Sequence, residues 1–132
     1  MIKPKHILLI DDDQDDVVFF QEALLQLPFA TTFTFETDCE RALEMLRDKF
    51  ILPDIICLDF NMPKKNGREC AIEIRQMPGY RNMTILLWTT ALPSHEEKEI
   101  QEAGVQDVFL KPNSVEELVN RLIANLQLIP VI

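Results

Sequence analysis

The stretch Pro53-Asp54-Ile55-Ile56-Cys57-Leu58-Asp59-Phe60-Asn61-Met62-Pro63 decides the fold. Residues 55 to 58 are all apolar, the signature of a strand covered on both faces. Pro53 and Pro63 bracket it, since proline cannot donate to a central ladder. The strand delivers Asp59 to its carboxyl end, which is where open parallel α/β sheets bind ligands. Taken alone, Asp59 reads equally well as the start of a turn.

Working outward, other continuous apolar runs have the same character. His6 to Ile10 predicts a first strand ending in Asp11-Asp12-Asp13, and Met83 to Trp88 a fourth ending in Thr89-Thr90. Val108 to Leu110 predicts a fifth, ending in Lys111-Pro112. Thr31 to Phe35 is β-rich and predicts a short second strand at an edge. Helices fill the gaps. Asp13 is a candidate N-cap for a helix over 14–27, with Asp15 and Asp16 in its first turn. Its Phe20, Ala23, Leu24 and Leu27 make one face, while Val18, Phe19 and Leu25 are surplus apolar residues off that face. Thr37-x-x-Glu40 reads as a capping box for the second helix, whose buried side is Ala42, Leu43, Leu46 and Phe50. Asn66-Gly67 is read as a loop rather than a hairpin, because Ala71, Ile74 and Met77 follow at helical spacing and predict a third helix ending near Pro78-Gly79. Ser94-x-x-Glu97 and Ser114-x-x-Glu117 read as capping boxes for the last two helices. The fourth (about 94–103) is unusually polar and stops at Gly104. The tail 128–132 is apolar and interrupted by Pro130. The order is β-α repeated five times, and right-handed crossovers predict a doubly wound parallel α/β sheet, strand order 2-1-3-4-5.

Composition narrows the function. At 132 residues the chain is read as a single domain with no room for an output domain. A formal net charge of −9 argues against nucleic-acid binding, which needs a basic face. No apolar run approaches the roughly 20 residues of a membrane span, and the N-terminus lacks a signal-peptide core. Cys39, Cys57 and Cys70 form no Cys-x-x-Cys pair, which favours reduced thiols and a cytoplasmic location over disulfides or a zinc site. Cys57 reads as a small buried hydrophobe. His6 and His95 read as surface residues, Trp88 as core, and Lys64 and Lys65 as an exposed loop.

The strong polar features gather at strand carboxyl ends: Asp11 and Asp12, then Asp59, Thr89 and Lys111. In a parallel sheet these ends share one rim. Two or three carboxylates with a backbone carbonyl make a hard oxygen site suited to Mg2+, and crowded carboxylates need a cation to stay ionised together. A carboxylate beside such a metal can attack phosphorus, and Lys111 and Thr89 supply the ammonium and hydroxyl that a transferring phosphoryl group needs. Asp13, Asp15 and Asp16 are assigned to the cap and first helical turn. The run is not an EF-hand loop, since its Gly and terminal Glu are missing.

At these residues the chain resembles the receiver domains of two-component response regulators, here of a stand-alone flavodoxin-like (βα)5 type. The motifs are Ile7-Leu-Leu-Ile-Asp-Asp12, residues 53–63 with Gly67, Leu87-Trp-Thr-Thr-Ala91, Ala103-Gly104 and Phe109-Leu-Lys-Pro112. Asp59, Thr89 and Lys111 are spaced by 30 and 22 positions, as in the family. The resemblance implies that Asp59 is the phosphoacceptor. It implies that Asp11 and Asp12, with Asp59 and the backbone carbonyl of Asn61, hold Mg2+ (or Mn2+). Lys111 then contacts the phosphoryl group, and Thr89 is the switch hydroxyl that moves to bond it. Thr90 stands where a small residue is usual. One departure concerns the output: Val108 replaces the usual switch aromatic, and Phe109 alternates to the other face of its strand.

The expected function is phosphoryl acceptance from a histidine kinase or histidine phosphotransfer protein. Signalling would come from binding an unidentified protein target or from phosphate relay, with no nucleic acid or membrane as partner. An apolar helix face, if exposed, would permit dimerisation. The receiver reading makes the chain a phosphoacceptor and not an enzyme in the usual sense, apart from its own phosphorylation from small donors and its own dephosphorylation. Two alternatives come from other classes. Asp11-x-Asp13 can be parsed as the nucleophile motif of a haloacid-dehalogenase-type phosphatase, although Asp59 then has no role and no acidic pair comes after Lys111. A degenerate, non-phosphorylated scaffold is the other, against which the complete set of site residues argues.

Overall fold

The computed structural model describes residues 5–91, 95 and 97–126. Strands and helices alternate: β1 (Lys5–Ile10), α1 (Gln14–Leu25), β2 (Thr31–Glu36), α2 (Cys39–Arg47), β3 (Ile55–Asp59), α3 (Gly67–Gln76), β4 (Thr84–Thr89), α4 (Glu97–Glu102), β5 (Asp107–Leu110) and α5 (Val115–Leu126). All pairings are parallel and the order is β2-β1-β3-β4-β5, as the sequence predicts. β3 is central and buried throughout, which explains its unbroken apolar run.

The sheet divides the core into two layers. α1 and α5 pack Phe20, Leu24, Leu118 and Leu122 against Ile7, Leu9, Cys57 and Trp88 on one face. α2, α3 and α4 pack Leu43, Leu46, Ile74 and Ile100 against Leu8, Ile56, Leu58 and Leu87 on the other. Each such large aliphatic chain contributes about 1.5–3 kcal/mol on burial. Phe20 meets Trp88 edge-on at 5.3 Å, fixing α1 over the middle of the sheet. Arg75 ties α3 to the turns that lead into β4 and β5, donating to the carbonyls of Tyr80, Arg81 and Gly104.

Local chemistry explains where the elements differ from expectation. The N-cap of α2 is Asp38, whose carboxylate accepts from the Glu40 N–H at 3.0 Å, and not Thr37. Thr37 instead gives its N–H to Glu36 as the chain leaves β2. α2 ends at Arg47, and Lys49 turns the chain at φ 59°, so Phe50 falls outside the helix and is 78% exposed. The turn at Asn66-Gly67 is a complete capping box: Asn66 Oδ1 accepts from Glu69 N–H while Glu69 accepts from Asn66 N–H. α1 stops at Leu25 rather than Leu27, although Leu27 stays buried. Val18 and Leu25 are exposed, as their off-face positions predict, but Phe19 packs partly against the α1 layer. His6 is half-buried, its Nε2 2.8 Å from Thr34 Oγ1, rather than a surface residue. Lys64 is exposed, but Lys65 is half-buried and joins Glu40 to Glu73. Gly104 closes α4 at φ +79° as expected, and Ser114 Oγ accepts from Glu117 N–H at the start of α5. Ser94, the proposed cap of α4, and the tail 128–132 lie outside the described residues.

Candidate functional site

Strand register assembles the site. Ile10 pairs with Leu58, so Asp11 falls level with Asp59 one step beyond. Asp59 pairs with Trp88, which sets Thr89 just past it, and Thr89 pairs with Leu110, which sets Lys111 at the same rim. Asp11, Asp59 and Thr89 are buried, with Asp12 exposed beside them.

Each polar group is held by a local backbone device. Asp11 Oδ1 accepts from Asp13 N–H at 2.9 Å, and Asp59 Oδ1 from Asn61 N–H at 3.2 Å, so each carboxylate is oriented by its own turn. Thr89 Oγ1 donates to the Ala91 carbonyl at 3.0 Å and accepts from Asn61 Nδ2 at 3.0 Å. Gly67 allows the approach of α3 to this turn: a Cβ there would lie 2.7 Å from the Asp59 carbonyl oxygen and 2.8 Å from Leu87 Cδ2. That close approach, and not a left-handed backbone, is the reason for the glycine.

Lys111 sits among carboxylates, with Nζ 2.6 Å from Asp16, 3.0 Å from Asp11 and 3.5 Å from Asp59. It lies over the Trp88 ring, 5.0 Å from the centroid. Burial alone would lower its pKa, but the hydrogen bond to Asp16 and the charge of Asp11 outweigh that and raise it. Burial, then the neighbouring Asp11, pushes the Asp59 carboxyl up to about 6. Burial likewise raises Asp11. One ammonium therefore faces more negative charge than it can neutralise.

The same crowding gives a physical test for a metal. Asp11, Asp12 and Asp59 offer carboxylate oxygens all within 4.8 Å of one another. Asp11 Oδ2 is buried and pairs with the Lys111 ammonium at 3.0 Å, an ammonium that Asp16 and Asp59 share. A hard, all-oxygen donor set of three carboxylates, crowded around a single shared ammonium, fits a small divalent cation.

The structure thus brings together Asp11, Asp12, Asp59, Asn61, Thr89 and Lys111. It engages Asn61 through its N–H and side-chain amide. Val108 is half-buried and packs with the α3–α4 layer, whereas Phe109 is buried in the opposite layer beneath Arg121, as strand alternation predicts. The residue that sequence reasoning missed is Asp16. Asp13 is the cap, accepting from Asp15 N–H, but Asp16 turns in to Lys111. A signal was present: on a helix starting after Asp13, Asp16 is one turn from the cap and can face back over the strand ends.

Comparison with known proteins agrees with this geometry. A family profile described as "Response regulator receiver domain" matches residues 7–123. The response regulator Rcp1 of Synechocystis is 32% identical over 102 residues, covering 74% of this chain and 67% of its own length. The sensor histidine kinase CheAY of Helicobacter pylori is 30% identical over 85% of this chain, which spans only 14% of that protein. The Mn2+-bound form of Rcp1 superposes with a TM-score of 0.79 at 27% identity, covering 92% of this chain and 91% of that one. The phosphorylated cyanobacterial phytochrome response regulator RcpA superposes with a TM-score of 0.81 at 25% identity over the same shares. Among the described residues no helix is long and apolar enough to cross a membrane. With the profile matched from within β1 to within α5 and the acidic rim in place, the chain belongs to the response regulator receiver domain family.

Proposed function

We propose that the chain accepts a phosphoryl group on Asp59 from a histidine kinase or phosphotransfer protein, and signals by binding a protein target or passing the group on. The observation that carries this reading is the placement of Lys111 Nζ within 3.5 Å of an Asp59 carboxylate backed by Asp11 and Asp12. Asp59 is held by Asn61 N–H, so little reorganisation is needed for its oxygen to attack phosphorus. Asp11, Asp12, Asp59 and the Asn61 carbonyl would hold Mg2+ (or Mn2+), which neutralises charge on the transferring oxygens. The ammonium of Lys111 exchanges part of its carboxylate pairing for the new phosphoryl oxygens. The Thr89 hydroxyl proton is committed to the Ala91 carbonyl. Bonding a phosphoryl oxygen requires it to change acceptor, which couples the new charge to the segment after β4. Val108, smaller than an aromatic, leaves Thr89 as the moving part of that coupling. The kinship with Rcp1 and RcpA, both named response regulators, supports the same reading.

Incubation with a radiolabelled, phosphorylated histidine kinase from the same source tests it. Label is expected to leave the kinase histidine and appear on the wild-type chain as an alkali-labile acyl phosphate, and to be absent from Asp59→Asn. Equal labelling of the two proteins would move the acceptor elsewhere, Asp11 first.

A further inference from the structure

We propose that Cys39 and Cys70 are a dithiol modification site that a hydroperoxide converts to an intramolecular disulfide joining α2 to α3. The two free thiols touch, Sγ to Sγ at 2.6 Å, although 31 positions separate them in sequence. Cys39 is the first residue of α2 and Cys70 lies in the second turn of α3. Both belong to the core layer formed by α2, α3 and α4, whereas Cys57 lies in the opposite layer, across the sheet. The fold therefore pairs two thiols and isolates the third. Lys65 binds Glu40 and Glu73, one residue after Cys39 and three after Cys70, so an ionic clasp already holds the two helices in this register.

The surroundings assign the order of events. Cys70 is fully buried, and its thiol pKa is pushed up by the hydrogen bond to Cys39 and then by burial. Cys39 is 6% exposed, and an open groove lined by Asp38, Glu40 and Arg41 runs along the residues that flank it. Opening the first turn of α2 exposes this sulfur without disturbing the sheet. The Cys39 sulfur, as thiolate, attacks the terminal peroxide oxygen. The O–O bond breaks, Cys39 becomes a sulfenic acid, and water or an alcohol leaves with the thiol proton. Cys39 is oxidised by two electrons and the peroxide reduced by two. The Cys70 sulfur then displaces hydroxide from the Cys39 sulfur, forming the S–S bond, and its proton departs with the hydroxide as water. A dithiol reductant reverses the sequence. α3 begins directly after the loop 60–66, so the oxidised form anchors the exit of the loop that comes after Asp59.

The test treats the full chain with equimolar hydrogen peroxide, denatures it in excess alkylating maleimide, and reads intact mass and non-reduced peptides. Untreated protein is expected to take up label on Cys39, Cys57 and Cys70. Treated protein is expected to take it up on Cys57 alone, to be lighter by two hydrogen atoms before alkylation, and to yield a peptide linking Cys39 to Cys70. Dithiothreitol restores full labelling. The Cys57→Ser variant is expected to form the same link, and Cys70→Ser to stop at a Cys39 sulfenic acid trapped by dimedone. Full labelling of Cys39 and Cys70 after treatment, or a link that includes Cys57, overturns the proposal.

Discussion

Replacing Asp59 with asparagine is expected to raise the unfolding free energy of the metal-free protein by about 2 kcal/mol at pH 7. Asp59 is almost fully buried, faces Asp11, and has its pKa pushed from 3.8 to about 6. A shift of that size corresponds to about 3 kcal/mol against the charged form. Part of this is returned when asparagine gives up the contact with Lys111. The sign comes from linkage. Between 3.8 and about 6 the folded state binds more protons at this position than the unfolded chain does. Stability from this group therefore falls as pH rises through that window and stays low above it. In the presence of a chelator, wild type should become more stable as pH drops from 7 towards 5, and Asp59→Asn should lose most of that gain. Mg2+ should stabilise wild type more than the variant, because the cation neutralises the same excess charge. Urea denaturation at two pH values, with and without Mg2+, reads all of this. A variant less stable than wild type in chelator at pH 7 would falsify the claim that the acidic rim is under electrostatic stress.

Lys111→Met should have the opposite and larger effect on folding, a loss of about 3 kcal/mol at pH 7. The side chain is only 10% exposed and its ammonium contacts Asp11, Asp16 and Asp59. Methionine keeps the stem that packs on Trp88 but leaves these carboxylates with no ammonium among them. The raised pKa of Lys111 means that its own contribution is complete below its ordinary value of 10.5, and is lost only when pH climbs through the raised one. Any change between pH 7 and 5 must therefore come from the acids. As Asp59 protonates near 6, fewer uncompensated charges remain, and the cost of the variant should shrink. A penalty equal at pH 7 and pH 5, or none at pH 7, is incompatible with this arrangement. Phosphoryl acceptance is expected to fall as well, because no other described residue brings an ammonium to Asp59.

The fold was legible because each of its buried strands is an apolar run that ends in a polar residue. Once Ile10, Leu58 and Trp88 are recognised as the last apolar positions of their strands, parallel register places Asp11, Asp59 and Thr89 together. Less legible was anything set by the direction of a side chain or by a turn of one residue. Asp16 looks like another first-turn acid, and only the geometry of α1 over the sheet turns it to Lys111. Phe50 fits the helical period of α2 but is thrown to the surface by the left-handed Lys49. Asn66 caps α3 with a partner three residues on, as Ser or Thr would, yet Asn-Gly also spells a hairpin turn. Cys39 and Cys70 have no motif spacing, since their contact comes from the packing of two helices.

The central claim is that Asp59 is the phosphoacceptor, and intact mass tests it most directly. Wild type and Asp59→Asn are incubated with Mg2+ and acetyl phosphate, then measured without acid or heat. The account predicts one added phosphoryl group on wild type and none on the variant. A phosphoryl group gained equally by Asp59→Asn would contradict it.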